Sequence, residues 1–278
     1  MNLVFAGVIV AAATGVAIAV LLFVRRTAPD GGYFHDGDRA AGFFGVLATG
    51  FAVLLGFIVF LAFASHDESR TGAETEALLV AQQYETAQFL PDDVIAELGG
   101  QLICYGRYVV HEEWPLMEDG DLNNEVNPWG LALFQTLEGV EPDSNSEQSA
   151  YDKWLDQTST REESRQDRTH GAEGIIPLTL WLVLLLGTGL IFIFMLFFAD
   201  SGERAVVQAM MIGSVTAITV ATLLLINALD NPFHTGVGGL RPVAMERTLE
   251  LLEVQLAHLG QRAPLPCSED GDALDTGS

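Results

Sequence analysis

The chain has 278 residues, 49% of them hydrophobic, and carries a formal net charge of −24, with 37 Asp and Glu against 13 Lys and Arg. A surface this acidic repels nucleic acid and anionic lipid headgroups, so neither is expected as a partner held by charge. The length leaves room for one membrane unit and one appended soluble part.

Four apolar runs organise the sequence, near residues 3–24, 41–64, 175–199 and 206–229. None contains Asp, Glu, Lys or Arg, and Asp200 and Asp230 close the last two. Each exceeds the roughly 20 apolar residues that cross a hydrocarbon core of about 30 Å. Runs of this length suit helices rather than barrel strands. The expected fold is an all-α integral membrane protein. Four transmembrane helices form two hairpins, 1–64 and 175–230, and a helical soluble domain, 65–174, is inserted between spans two and three. A loop and amphipathic helix, 231–260, and a disordered tail, 261–278, complete the division. An even number of spans puts both termini and the soluble domain on one side of the membrane.

The first run has no basic residue before it, Arg25-Arg26 after it, and more length than a secretory h-region, so it reads as a retained span. Gly7, Ala11, Gly15 and Ala19 give it a flat face on which another helix can lie closely, and Gly213, Ala217 and Ala221 do the same in span four. Ordinary helix packing is the expected use of both faces. The turn-rich connection 25–40 carries His35, Asp36 and Asp38, whose commonest role is solvated or capping rather than cation-binding.

In span two, Thr49, Val53, Phe57 and Leu61 recur every fourth residue and form one ridge. Facing the axis of an oligomer, this ridge would make a narrow apolar neck. Facing a neighbouring helix it would be plain packing, which periodicity alone favours. Thr49, Thr216, Thr219, Thr222 and Asn227 are mild polar groups that can bond between helices or line a narrow aqueous path. The spans hold no ionisable residue, which argues against a proton-coupled carrier. A pore that gates by dewetting at an apolar constriction remains open.

Residues 65–174 hold 24 Asp and Glu against 6 Lys and Arg, a net of −18. Such a domain concentrates cations near any pore mouth it lines; a compositional habit of salt-adapted or GC-rich sources would give the same surface. Leu78, Ala81, Tyr84 and Ala87 mark a helix over 68–90. Ile95, Leu98, Leu102, Tyr105 and Val109 mark a second, started by Pro91, Asp92 and Asp93. Gly99-Gly100 would allow it a kink, and Trp114-Pro115 should end it. A short helix is expected over 128–139, and a polar one runs from about 145 toward span three with Tyr151, Trp154 and Leu155 as its apolar contacts. After Asn231-Pro232 and a glycine loop, Met245, Leu249, Leu252, Leu256 and Leu259 form a short heptad-like seam, better suited to packing on the soluble domain than to self-association.

Chemistry-bearing patterns are sparse. His111-Glu112-Glu113 has no second histidine one turn on, and position 115 is proline, so the zinc-protease pattern fails. His66-Asp67-Glu68, directly after span two, has the same status. There is no glycine-rich phosphate loop and no recognisable nucleophile–base order. No enzyme activity, cofactor or metal is expected. The two cysteines, Cys104 and Cys267, share no metal-like spacing and are not expected to form a disulfide framework.

Three stretches carry a resemblance. They are His35-Asp36-Gly37-Asp38-Arg39-Ala40-Ala41-Gly42-Phe43 leading into VLLGFIV (53–59), YGRYVVHEEWP (105–115) and LDNPF (229–233). In this order, over about residues 35–255, they resemble the bestrophin-like membrane proteins of bacteria and plants, a family of unassigned function. The motif residues are His35, Asp38, Arg107, Glu112, Glu113, Trp114, Pro115, Asp230, Asn231, Pro232 and Phe233. VLLGF also resembles the neck segment of true bestrophins, the oligomeric anion channels. Carried over, the neck falls on Thr49, Val53 and Phe57, and only Phe57 keeps an aromatic ring. NPF (231–233) resembles a bestrophin motif that precedes an acidic calcium-binding run, but HTGVGG follows it here and has no acids.

The resemblance implies a homo-oligomer, with a pentamer as the family assembly, in a bacterial-type inner membrane. Its partners would be the lipid bilayer, its own copies and inorganic ions. It also implies cytoplasmic termini and a cytoplasmic soluble domain. The arginines point the other way. Arg25, Arg26, Arg39 and Arg204 sit on the short connections, against Arg70, Arg161, Arg165, Arg168 and Arg241 on the opposite side, and the positive-inside rule weights short loops. The expectation here follows the family. Two functions compete: an oligomeric ion channel with a hydrophobic neck on span two and a soluble vestibule, and a non-conducting scaffold or sensor whose acidic domain binds a protein partner.

Overall fold

The computed structural model describes residues 2–120, 126–259 and 265–274, with backbone alone for 257–259. It is helical throughout. Among the described residues the only β feature is an isolated antiparallel bridge between Cys267 and Ala273. The helices are α1 (Leu3–Arg25), α2 (Gly37–Ala87), α3 (Asp92–Tyr108), α4 (Trp114–Glu118), α5 (Pro128–Glu138), α6 (Asn145–His170), α7 (Leu178–Phe197), α8 (Ala205–Asp230) and α9 (Val243–Leu259). Four of them, α1, α2, α7 and α8, are long and apolar enough to cross a membrane. The chain divides into two compact units. One comprises residues to Ser65, Ile175–Asp230 and Thr235–Gly238; the other comprises His66–Gly174, Asn231–His234 and the remainder from Gly239.

The membrane unit has two small cores. Phe51, Leu55 and Ile58 of α2 pack with Leu184 and Ile191 of α7 and Ile226 of α8. Leu21 and Ala28 pack with Ala199 and Ile212. Close approach is built from missing side chains. A Cβ on Gly187 would collide with the Phe51 ring, and one on Gly213 would press on Ile18 and Thr14 of α1. The expected small face of α1 is not used this way. Gly7, Ala11, Gly15 and Ala19 are exposed, and no atom lies within 4 Å of a Cβ built on Gly7 or Gly15. The face that packs is instead the one carrying Thr14, Ala17, Ile18 and Leu21.

The two hairpin connections are tied together. Arg25 donates from Nε to the Asp200 carbonyl and from Nη2 to the Ser201 carbonyl, both at 3.0 Å, and also to the Glu203 carbonyl. The Asp200 carboxylate accepts from the Gly31 and Gly202 amides. These backbone N–H groups hold its pKa below the usual carboxylate range. At the far end of α8, Asp230 accepts from the Ile175 and Ile176 amides at 2.9 and 3.0 Å and so fixes the entry to α7.

The soluble unit corrects several expectations. The helix expected over 68–90 is not separate, because α2 continues without a break through His66, Asp67 and Glu68 to Ala87. No proline interrupts this stretch, so the boundary at residue 64 falls inside a helix. Gly99-Gly100 does not interrupt α3. These glycines admit neighbours: a Cβ would meet the Tyr84 ring at 3.1 Å from Gly99 and Pro266 at 3.2 Å from Gly100. Nor does Trp114-Pro115 stop the helix. One π turn, Val109–Glu113, intervenes and the chain goes on as α4 to Glu118. The Trp114 amide reaches back to the Val109 carbonyl, and the wider turn accommodates a proline that has no N–H to donate.

Helix starts are conventional. Asn127 caps α5 by accepting from the Trp129 amide, with Pro128 at the first position. Ser144 caps α6 by accepting from the Glu147 amide. On α6, Trp154 is buried and Tyr151 half-buried, whereas Leu155 is exposed. The α9 seam packs inward as expected: Met245, Leu249 and Leu252 are buried in the unit's core with Leu256 beside them. The Leu259 side chain lies outside the described residues.

The last correction concerns the tail and the cysteines. Cys104 and Cys267 form a disulfide across 163 residues, with Cα atoms 5.7 Å apart. Residues 265–274 are therefore not a loose tail. They make a turn closed by Ser268–Asp272 and Leu274–Pro266 backbone bonds. Residues 260–264 and 275–278 lie outside the described residues.

Candidate functional site

The neck candidates lie on the uncovered side of α2. Thr49, Val53, Phe57 and Leu61 are exposed, Val53 and Phe57 at 65% each. Residues on the other side, Phe51, Leu55, Ile58 and Ala62, are buried. Helical spacing explains the division, since steps of three and four residues separate two faces of one helix. The ridge therefore does not pack against another helix of its own membrane unit. It presents one hydroxyl and three apolar side chains, and no charge.

The soluble unit is organised round a buried ionic network. Arg161, Arg165 and Arg168 follow one another at steps of four and three on α6, while Glu76 and Gln83 stand two turns apart on α2. Arg168 is fully buried and donates to both oxygens of Glu76, at 2.5 Å from Nε and 3.1 Å from Nη2. Its Nη2 also reaches Glu113 Oε2. Arg165 grips the other Glu113 oxygen through Nε and Nη2, at 3.2 and 2.9 Å. The Tyr105 hydroxyl donates to Glu76 at 2.6 Å. Arg161 lies over the Tyr105 ring, 4.7 Å from its centroid, and donates to Gln83 at 2.7 Å.

Two carboxylates thus face two guanidiniums, and such balance is what lets charges persist away from water. Burial opposes the charge on Glu113, but the attraction of Arg168 and Arg165 outweighs it and holds its pKa below the usual range. Burial likewise opposes the Arg168 cation, and Glu76 and Glu113 together raise its pKa above the ordinary arginine value. Burial first, and then the Glu76 charge, push the Tyr105 hydroxyl well up, so it stays a neutral donor.

The second and third motif stretches meet in the soluble unit. Asp36 caps α2 by accepting from the Arg39 amide at 3.0 Å, while His35 and Asp38 are exposed. In the second stretch, Glu113 joins the network, Glu112 is half-buried outside it, and Pro115 follows the π turn. Arg107 donates to the Ser268 carbonyl and to Glu253, both at 3.0 Å. The third stretch meets the second: Phe233, 1% exposed, packs on Trp114, which also lies under Arg168. Pro232 accepts at its carbonyl from the Leu240 amide at 2.7 Å. Among the described residues, no group of three or more His, Cys, Asp or Glu is placed to hold a metal.

Glu76 and Arg168 were not singled out from the sequence. The available signal was the 161-165-168 spacing: three arginines on one face of a helix otherwise rich in acids.

A family model described as the bestrophin-like domain matches residues 7–245. No functionally curated protein matches the sequence significantly. Among solved structures, a single-residue variant of a bacterial bestrophin homologue from Klebsiella pneumoniae superposes with a TM-score of 0.64 at 16% identity, over 92% of this chain and 98% of that one. A second variant of it gives 0.63 at 14%, over 91% and 98%. A structure described only as a membrane protein gives 0.65 at 14%, over 94% and 100%. At these identities the likeness is one of fold.

Proposed function

Because the chain belongs to the bestrophin-like family, we propose that it assembles into a homo-oligomeric ion channel whose neck is the α2 ridge and whose vestibule is the acidic soluble unit. The observation that carries this reading is the exposed row Thr49, Val53, Phe57 and Leu61, left uncovered by the membrane unit to which it belongs. An uncharged apolar ridge brought round an axis makes a constriction that water leaves readily, which gates ions without any titrating group. The soluble unit would stand in the ion path with a strong negative excess; its 65–174 segment alone carries a net of −18. That charge enriches cations at the entrance and favours cation or non-selective conduction over anion selectivity.

Imaging of the assembled particle in detergent, together with planar-bilayer recording, tests the proposal. A ring with Thr49, Val53 and Phe57 on its axis, conducting in symmetric salt, is expected. A monomer or dimer, or silence over a range of salts and voltages, would sink it and leave a scaffold or sensor that binds a protein partner through its acidic surface.

A further inference from the structure

We propose that the soluble unit faces the oxidising side of the membrane, outside the cytoplasm, and that the two short hairpin connections face inward. The first ground is the Cys104–Cys267 disulfide. These are the only two cysteines in the chain, so each has no other intramolecular partner. Structural disulfides persist in extracytoplasmic compartments and are rare where glutathione and thioredoxin keep thiols reduced.

The bond is enclosed rather than exposed for exchange, with Cys104 at 0% and Cys267 at 4% exposure. The segment bearing Cys267 is shaped to keep it there. Trp129 Nε1 donates to the Gly271 carbonyl at 2.6 Å, and Arg107 to the Ser268 carbonyl at 3.0 Å. Gly271 takes a φ of +95°, and a side chain there would strike the backbone of Tyr108. A buried bond seated this closely is a permanent staple, which a reducing cytosol would not supply.

The second ground is independent of the first. Positive-inside bias is counted on short loops near the span ends, while long domains translocate largely regardless of charge. The soluble insertion is such a domain, so its arginines drop out of the comparison. Three of them, Arg161, Arg165 and Arg168, in any case serve the buried network. Arg25, Arg26, Arg39 and Arg204, at the ends of the short connections, then stand against Arg241 and Arg247 after the last span, and the larger count places the short connections in the cytoplasm. This reverses the side implied by resemblance to the family.

Paired reporter fusions after the last residue of the otherwise unaltered chain, expressed in a bacterial host, test the placement. An alkaline phosphatase fusion should be active and a green fluorescent protein fusion exported by the same route should be dark. Separately, cells are quenched in acid and the denatured wild-type chain is treated with a maleimide-polyethylene glycol. No mass shift is expected before reduction, and a shift for two thiols after it. A fluorescent fusion with inactive phosphatase, or two free thiols before reduction, overturns the proposal, whether or not the protein conducts.

Discussion

Trp114 and Phe233 meet edge to face, with ring centroids 5.3 Å apart and planes at 81°. Through them YGRYVVHEEWP and LDNPF, separated in sequence by more than a hundred residues, close one core. Phe233 is 1% exposed, so Phe233→Ala empties a site that has little means to collapse. Destabilisation of the soluble unit by about 3–5 kcal/mol is expected, read as a lowered midpoint in thermal or denaturant unfolding. A change under 1 kcal/mol would show that the rings touch without supporting the core.

The ionic network predicts an acid limit. The folded pKa of Glu113 is depressed, so its contribution to stability is fully present above the ordinary carboxylate value of about 4.3. It is lost as pH falls past that value and through the lower folded one. Glu113→Gln should destabilise the unit near neutrality by about 3–5 kcal/mol, because Arg168 stays buried and Arg165 half-buried with less counter-charge. The same variant should flatten the stability profile at acid pH. An unchanged profile would remove Glu113 from the network's energetics.

Gly72 is held between α2 and α6 so tightly that a Cβ would lie 2.6 Å from the Ser164 carbonyl and 2.7 Å from the Arg168 amide. Both obstacles are backbone and cannot rotate away. Gly72→Ala should therefore cost about 1–3 kcal/mol, against its gain in helix propensity. Gly45→Ala, with open space around its Cβ, is the control and should not destabilise.

Cys267→Ser should lower the stability of the soluble unit by about 2–4 kcal/mol and free residues 265–274. Amide exchange near Gly271 and the fluorescence of Trp129, whose indole bonds that segment, would both change. If neither moves, the surrounding hydrogen bonds hold the turn unaided.

On the proposed pore, the two faces of α2 should separate conduction from folding. Val53→Ser adds a polar group to the exposed ridge and should raise conductance in bilayer recordings with little effect on yield. Ile58→Ser, on the buried face, should reduce yield and thermal stability. Equal effects of the two on current would argue against an axial ridge.

The spans and most soluble helices were legible because lipid and core both demand long, periodic apolar patterns. Pro91 and the α9 seam are local signals that carried over into structure. What escaped depended on distance or on a missing atom. Cys104 and Cys267 are brought together by α3 and a terminal turn that share no sequence signal. Glu76 sits in a stretch that reads as solvated, and only the arginines of α6 make it part of a core. The π turn hides because Trp114-Pro115 has the composition of a helix end. For the ridge, periodicity could describe two uses of one face, and exposure of Val53 and Phe57 now leaves packing within the protomer out of account.

Arg25 holds the hairpin connections through the carbonyl oxygens of Asp200, Ser201 and Glu203, in a chain where carboxylates outnumber cations nearly three to one. A peptide carbonyl does not titrate and carries no net charge for counter-ions to neutralise. The planar fork of arginine spans several such oxygens, which a single ammonium cannot do as well. The two units should accordingly answer acid differently: the soluble unit loosens through its buried carboxylates, while the Arg25 clasp has no titrating acceptor and only the Asp200 bonds to the Gly31 and Gly202 amides weaken there.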